Sequence, residues 1–146
     1  MSRMFSNAFI PKVLLVNDEP LNLMIFEHLF KAVSATTTRA CDGLEACKKT
    51  MNHKFDLVVM DLHMPFMDGF QATKIIKSRA NSPYVVAFTS SEIDQELMAR
   101  LKEAGFDDWF TLPVTQQVIS QQIISKLRRS TLIEEDDQIY ESIIKK

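Results

Sequence analysis

The chain has 146 residues, 46% of them hydrophobic and 25% charged, enough for one sizeable globular core and too few for a second full domain. A net charge of −2 supplies no field that would draw the chain to nucleic acid or to an anionic membrane. The opening stretch, MSRMFSNAFIPK, has neither a continuous apolar segment nor a cleavage signal, and no later run approaches a membrane span, so a cytoplasmic location is expected.

In chain order, KVLLVND (12–18) reads as a short strand ending in an acid, and EPLNLMIFEHLFKAV (19–33) as a helix whose proline suits its first turn. The β-branched SATTTRA (34–40) is a strand, CDG (41–43) a turn and LEACKKTMNHK (44–54) a helix. FDLVVMD (55–61) is the third strand, MPFMDG (64–69) a loop, FQATKIIKSRA (70–80) a helix, NSP (81–83) a break and YVVAFTS (84–90) the fourth strand. In SSEIDQELMARLKEAG (90–105), Ile93, Leu97 and Leu101 are spaced as a helix face, an S-x-x-D pattern starts the helix at Ser91 and Gly105 stops it. DDWFTLP (107–113) is the fifth strand and VTQQVISQQIISKLRR (114–129) the last helix.

Five strands alternating with five helices predict a doubly wound α/β fold: a parallel sheet with helices on both faces, whose apolar runs VLLV and LVVM are buried on two sides. Residues 1–11 are expected to be an N-terminal extension, 12–129 the domain and 130–146 an acidic tail. The tail holds five acids and two lysines, net −3, which leaves the rest of the chain at +1. Ile139, Tyr140, Ile143 and Ile144 have helical spacing there, which suits an extra docked helix; a solvated terminus is the alternative. Cys41 and Cys47 match no zinc pattern or redox pair, even with His53 added as C-x5-C-x5-H, and are read as reduced thiols.

In such sheets the working groups gather at the carboxyl ends of the strands. Asn17, Asp18, Asp61 and Thr89 all fall there. An acid at a strand end is at home as an exposed turn residue. If Asp18 and Asp61 end neighbouring strands, however, two carboxylates face each other, and that is unfavourable unless a proton or cation intervenes. All-oxygen ligands, with Glu19 nearby and an Asn17 amide to hold a coordinated water, suit Mg2+ better than Zn2+. Asp61 then has the chemistry of a nucleophile towards a phosphoryl group, and Thr89 offers a hydroxyl to one phosphoryl oxygen.

The blocks VLLVNDEPLNL, FDLVVMDLHMPFMDG, VVAFTS and AGFDDWFTLPV, in this order and spacing, resemble response-regulator receiver domains of two-component signalling, particularly those attached to hybrid histidine kinases. The resemblance runs from about Lys12 to Arg128. It implies a flavodoxin-like sheet of order 2-1-3-4-5, Asp61 as phosphoacceptor, and Asp18 and Asp61 as Mg2+ ligands. The backbone carbonyl of His63 would complete the metal shell, with Asn17 and Glu19 in its outer part. It also implies Thr89 as switch hydroxyl, Trp109 in the place of the switch aromatic and a cis bond before Pro113. One position departs: where family members usually have a lysine before that proline, this chain has Leu112.

The first helix has two apolar faces, Leu21, Met24, Ile25 and Leu29 against Leu23, Phe26 and Phe30. Receivers resembling this one dock histidine phosphotransfer proteins on that helix, so Leu21, Leu23 and Phe26 are the expected partner-binding residues. The expected partner is a histidine kinase or histidine phosphotransfer protein, with no direct contact to nucleic acid or membrane. The expected function is a phosphoacceptor of a phosphorelay, a switch with no enzyme activity beyond phosphorylation of its own Asp61 and its hydrolysis. Leu112 motivates the alternative, a pseudo-receiver that binds proteins independently of phosphorylation. Haloacid-dehalogenase phosphatases need a second Asp where this chain has His63, and flavodoxins need a Ser/Thr/Gly-rich phosphate loop where it has NDEPLN. No output domain is expected after residue 129.

Overall fold

The apolar runs are indeed strands covered on both faces. A computed structural model describes residues 9–127 of the chain. Five parallel strands, β1 (Lys12–Val16), β2 (Thr36–Ala40), β3 (Leu57–Asp61), β4 (Tyr84–Thr89) and β5 (Asp108–Thr111), form one sheet in the order β2-β1-β3-β4-β5. Between them run α1 (Pro20–Lys31), α2 (Gly43–Asn52), α3 (Gly69–Lys77) and α4 (Gln95–Ala104). The last helix, α5, spans 116–127 of the described residues, and its centre, Val118–Ile124, is π-helical. Residues 1–8 of the expected extension and the whole expected tail, with Ile139, Tyr140, Ile143 and Ile144, lie outside the described residues.

Successive strand side chains point to opposite sides, and here both sides are core. Leu14, Val16, Val58, Met60, Val85 and Ala87 face α2, α3 and α4, whereas Val13, Leu15, Leu57, Val59, Val86 and Phe88 face α1 and α5. Phe9 packs against the second of these cores, and the Pro11 carbonyl accepts the Thr36 N–H at 2.9 Å. Residues expected to precede the domain therefore help to build it. No helix among the described residues is long and apolar enough to cross a membrane.

Helix ends follow local chemistry. Asp42 and Asp68 cap α2 and α3, the latter in a reciprocal capping box with Gln71, and Gly105 ends α4 in the left-handed conformation with φ of +100°. The start of α4 differs from the expected one at Ser91. Asp94 is the cap, accepting from the Leu97 N–H at 2.8 Å, while the Ser91 N–H donates to the Thr89 hydroxyl oxygen at 3.1 Å. A stronger carboxylate cap three residues on leaves Ser91 to the loop.

The two faces of α1 are resolved by burial. Leu23, Phe26 and Phe30 pack against the sheet, whereas Leu21, Met24 and Ile25 are exposed. Leu23 and Phe26 are thus core residues, which corrects their expected place on a partner surface; only Leu21 of that trio faces solvent. Pairing with β1 and β3 claims the face whose rings reach Phe88, and Phe26 lies 5.1 Å from that ring.

Phe30→Ala is expected to cost about 3–5 kcal/mol of stability by opening a core cavity, and Met24→Ala less than about 0.5 kcal/mol. Chemical denaturation of the two variants checks this assignment of faces.

Candidate functional site

Parallel pairing aligns the strand ends. Val16 pairs with Met60 and Asp61 with Phe88, so the chain leaves β1 at Asn17 beside the acid that closes β3, with Thr89 closing β4 on its other side. These residues line one cleft of about 500 Å3, which also takes in Asp18, Glu19, His63 and Leu112. Its inner wall is apolar, with Leu23, Phe26, Val59 and Phe88, and His63 is the one basic residue in the lining.

Each part of the site is held by local structure. The Asn17 side-chain oxygen accepts the Glu19 N–H at 2.9 Å, which folds the acidic turn back over the end of β1. Asp61 is placed by a close approach: a Cβ added to Gly69 would lie 2.1 Å from the Asp61 carbonyl oxygen, so α3 can start there only with glycine. The Gly69 N–H donates to the Leu62 carbonyl at 2.9 Å, tying down the same loop.

Asp61 is half-buried, and Asp18 and Glu19 are exposed at the mouth. Burial, joined by the charge of Asp18, pushes the Asp61 carboxyl up to about 6 against the opposing pull of the His63 backbone N–H. A cation between the two acids relieves both penalties. Among the described residues no group of three or more His, Cys, Asp or Glu converges on a metal-sized site. A cation here would therefore take fewer than three carboxylates and fill its shell with backbone oxygen and water, the habit of Mg2+. The pattern of Cys41, Cys47 and His53 forms no such group either; Cys41 is exposed and Cys47 buried.

Thr89 is buried at 4% exposure, and its carbonyl accepts the Leu112 N–H at 2.8 Å. The hydroxyl oxygen is already an acceptor from Ser91, so its proton is free to be donated into the cleft. Leu112 stands 40% exposed at the rim, followed by a cis bond to Pro113. Trp109 is partly buried on the opposite sheet face, against the core under α2, α3 and α4, outside the cleft lining.

Sequence reasoning missed Asn22, Ile25, Ser90 and Val114, which also line the cleft. Asn22 had a readable signal, a polar residue in the first turn of α1 directly after the acidic turn. Ser90 follows Thr89 and could have been found with it. Ile25 and Val114 are apolar residues that only tertiary packing brings to the wall.

A sequence model described as the response regulator receiver domain matches residues 13–124. The chain belongs to this family. The receiver is 34% identical over 119 residues to the sensor histidine kinase GacS of Pseudomonas protegens, covering 78% of this chain and 13% of that protein. It is 36% identical over 117 residues to hybrid signal transduction histidine kinase A of Dictyostelium discoideum, covering 74% of this chain and 5% of that one. It thus spans a small part of the curated relatives it matches. A Francisella response regulator receiver domain superposes with a TM-score of 0.74 at 26% identity, covering 82% of this chain and 98% of that one.

The raised Asp61 carboxyl carries a sign. A group that holds its proton more tightly in the folded state contributes stability below its unfolded value near 4, and that contribution is lost as pH rises through about 6. Ionised Asp61 therefore destabilises the receiver at pH 7, by on the order of 1–2 kcal/mol once solvent at the cleft mouth is allowed for. In chelator, Asp61→Asn is expected to melt higher than the native receiver at pH 7, the gain shrinking towards pH 4. Melting curves across that range check it.

Proposed function

We propose that the receiver is a phosphoacceptor that takes a phosphoryl group from a phosphohistidine protein onto Asp61 and changes conformation in response. The observation that supports this most is Asp61 itself: a half-buried carboxylate at the end of β3, with Asp18 on one side and the Thr89 hydroxyl on the other, in a cleft open to solvent. The donor would be a histidine kinase or a histidine phosphotransfer protein, and the exposed α1 face of Leu21, Met24 and Ile25 is the proposed docking helix.

In this reading an Asp61 carboxylate oxygen attacks phosphorus, the phosphorus–nitrogen bond to the donor imidazole breaks, and the imidazole leaves with the electron pair. Asp18 and Asp61, with the His63 carbonyl, would hold Mg2+, and Asn17 and Glu19 would support its waters. Bound there, the ion neutralises the acids and the charge of the transferring group. Thr89 donates its hydroxyl hydrogen to a phosphoryl oxygen. Hydrolysis of the resulting acyl phosphate returns the resting state, so the protein turns over no external substrate beyond its donor.

Leu112 changes the coupling more than the chemistry. Asp61 supplies the attacking oxygen whatever stands at position 112, whereas a lysine at this rim position would hold phosphoryl oxygens through a charge-assisted bond of roughly 1.5–3 kcal/mol. A ligand shifts two states only by its differential affinity for them, so loss of that bond weakens the shift about tenfold or more. The Thr89 loop is then drawn inward mainly by its own hydroxyl, and Trp109 is the proposed reporter of that movement.

Two measurements test these proposals. Treatment with Mg2+ and acetyl phosphate is expected to add one phosphoryl mass to the native receiver and none to Asp61→Asn, and Asp18→Asn should lose Mg2+ binding together with most labelling. Persistent labelling of Asp61→Asn would remove Asp61 from the reaction, while an unlabelled native protein would point to a phosphorylation-independent binding module. Fluorescence of Trp109, the only tryptophan, should change weakly on phosphorylation of the native protein and several-fold more in Leu112→Lys. Equal, large changes would show that switching here does not depend on that cation.

A further inference from the structure

The loop from β3 to α3 contains a residue that phosphoryl transfer to Asp61 does not use. Leu62 and Met64 are buried, the Met67 sulfur lies 3.9 Å from Cys47 Sγ, and Asp68 caps α3, so the loop is tied down at both ends. Between them the Met67 N–H donates to the Pro65 carbonyl at 2.8 Å across Phe66, whose φ is +69°. This is a three-residue turn with positive φ at its centre, a rare and strained form that glycine would adopt without a steric penalty. Phe66 nevertheless occupies it, and its side chain is 100% exposed and belongs to neither core. A strained backbone thus holds a whole aromatic ring in water, five residues after Asp61.

We propose that Phe66 is an anchor for the phosphohistidine donor, forming with Ile25 and Leu112 an apolar collar around the acceptor. This rests on the phosphoacceptor reading. Asp61 is half-buried in the cleft, so a donor imidazole must enter the cleft to reach it, and the protein surface around that histidine must then lie over the rim. Ile25 and Leu112 line that cleft and are 45% and 40% exposed, and Phe66 stands on the loop that leaves its floor. The fitting partner is a protein with apolar side chains beside its phosphohistidine. Buried aromatic anchors dominate such interfaces, and a ring fixed before binding loses little freedom when it is covered. The strain and exposure of Phe66 are maintained in the free receiver and find their use in the complex. Leu112, in turn, serves the rim as a contact residue.

The test uses the full chain and two kinds of donor. Phe66→Gly is expected to melt no lower than the native protein, because the turn is relieved, and to be labelled by acetyl phosphate at the native rate. Transfer from a histidine phosphotransfer domain that labels the native chain should fall about tenfold or more, and Phe66→Tyr should restore it to within about twofold. Met51→Ser, which removes an apolar side chain 68% exposed on α2, should leave both rates unaltered. Native-rate protein transfer to Phe66→Gly would overturn the proposal, as would equal slowing with both donors. Loss of a dimer of the unphosphorylated chain in Phe66→Gly would overturn it in favour of a second copy as occupant. Failure of the native chain itself to be labelled by either donor would overturn the phosphoacceptor reading, and the anchor with it.

Discussion

The structure depends on keeping the carboxylate of Asp61 at the end of a strand buried on both faces, beside a second acid. A parallel sheet brings its strand ends to one edge, so any polar group that closes a central strand meets its neighbours there. In this receiver the neighbours are the acidic turn after β1 and Thr89 of β4. The arrangement is costly for the ionised, metal-free protein, as the raised Asp61 carboxyl records. A site built this way is poised to take positive charge, or a phosphoryl group accompanied by it.

Rigid supports carry that cost. The Gly69 backbone lies against the Asp61 carbonyl, the Asp68 capping box fixes the start of α3, and the Phe88 ring, 5.3 Å from Phe110 and 5.1 Å from Phe26, fills the wall behind the cleft. The Thr89 side is tied more lightly, by the Leu112 N–H to its carbonyl and by the Ser91 N–H to its hydroxyl oxygen.

The rim differs in character from the floor. The floor is acidic and polar, whereas Ile25 and Leu112 bring exposed apolar surface to its lining, and Phe66 stands exposed on the loop that follows Asp61. Exposed apolar groups are ordinary singly; one held by an unfavourable turn, five residues after Asp61, is the less usual case. On the proposed reading, chemistry in the floor and recognition on the rim divide the labour between strand ends and loops.

The sequence by itself determined the strand and helix order, the burial of VLLV and LVVM on both sides, and the gathering of Asn17, Asp18, Asp61 and Thr89 at strand ends. Those features are periodic or fall at fixed offsets from apolar runs, so local pattern carries them. Sheet order came with the blocks of resemblance, since alternation alone does not rank strands. Only the tertiary structure decided that Leu23 and Phe26 belong to the core and Met24 and Ile25 to the surface, because both faces of α1 are apolar and the choice is made by contact with Val59 and Phe88. It likewise moved the start of α4 from Ser91 to Asp94, where two caps competed and the Thr89 hydroxyl took the Ser91 N–H. The left-handed turn at Phe66 was invisible in MPFMDG, because it is held by anchors at Met64, Met67 and Gly69 that only the folded core and the close approach to Asp61 supply.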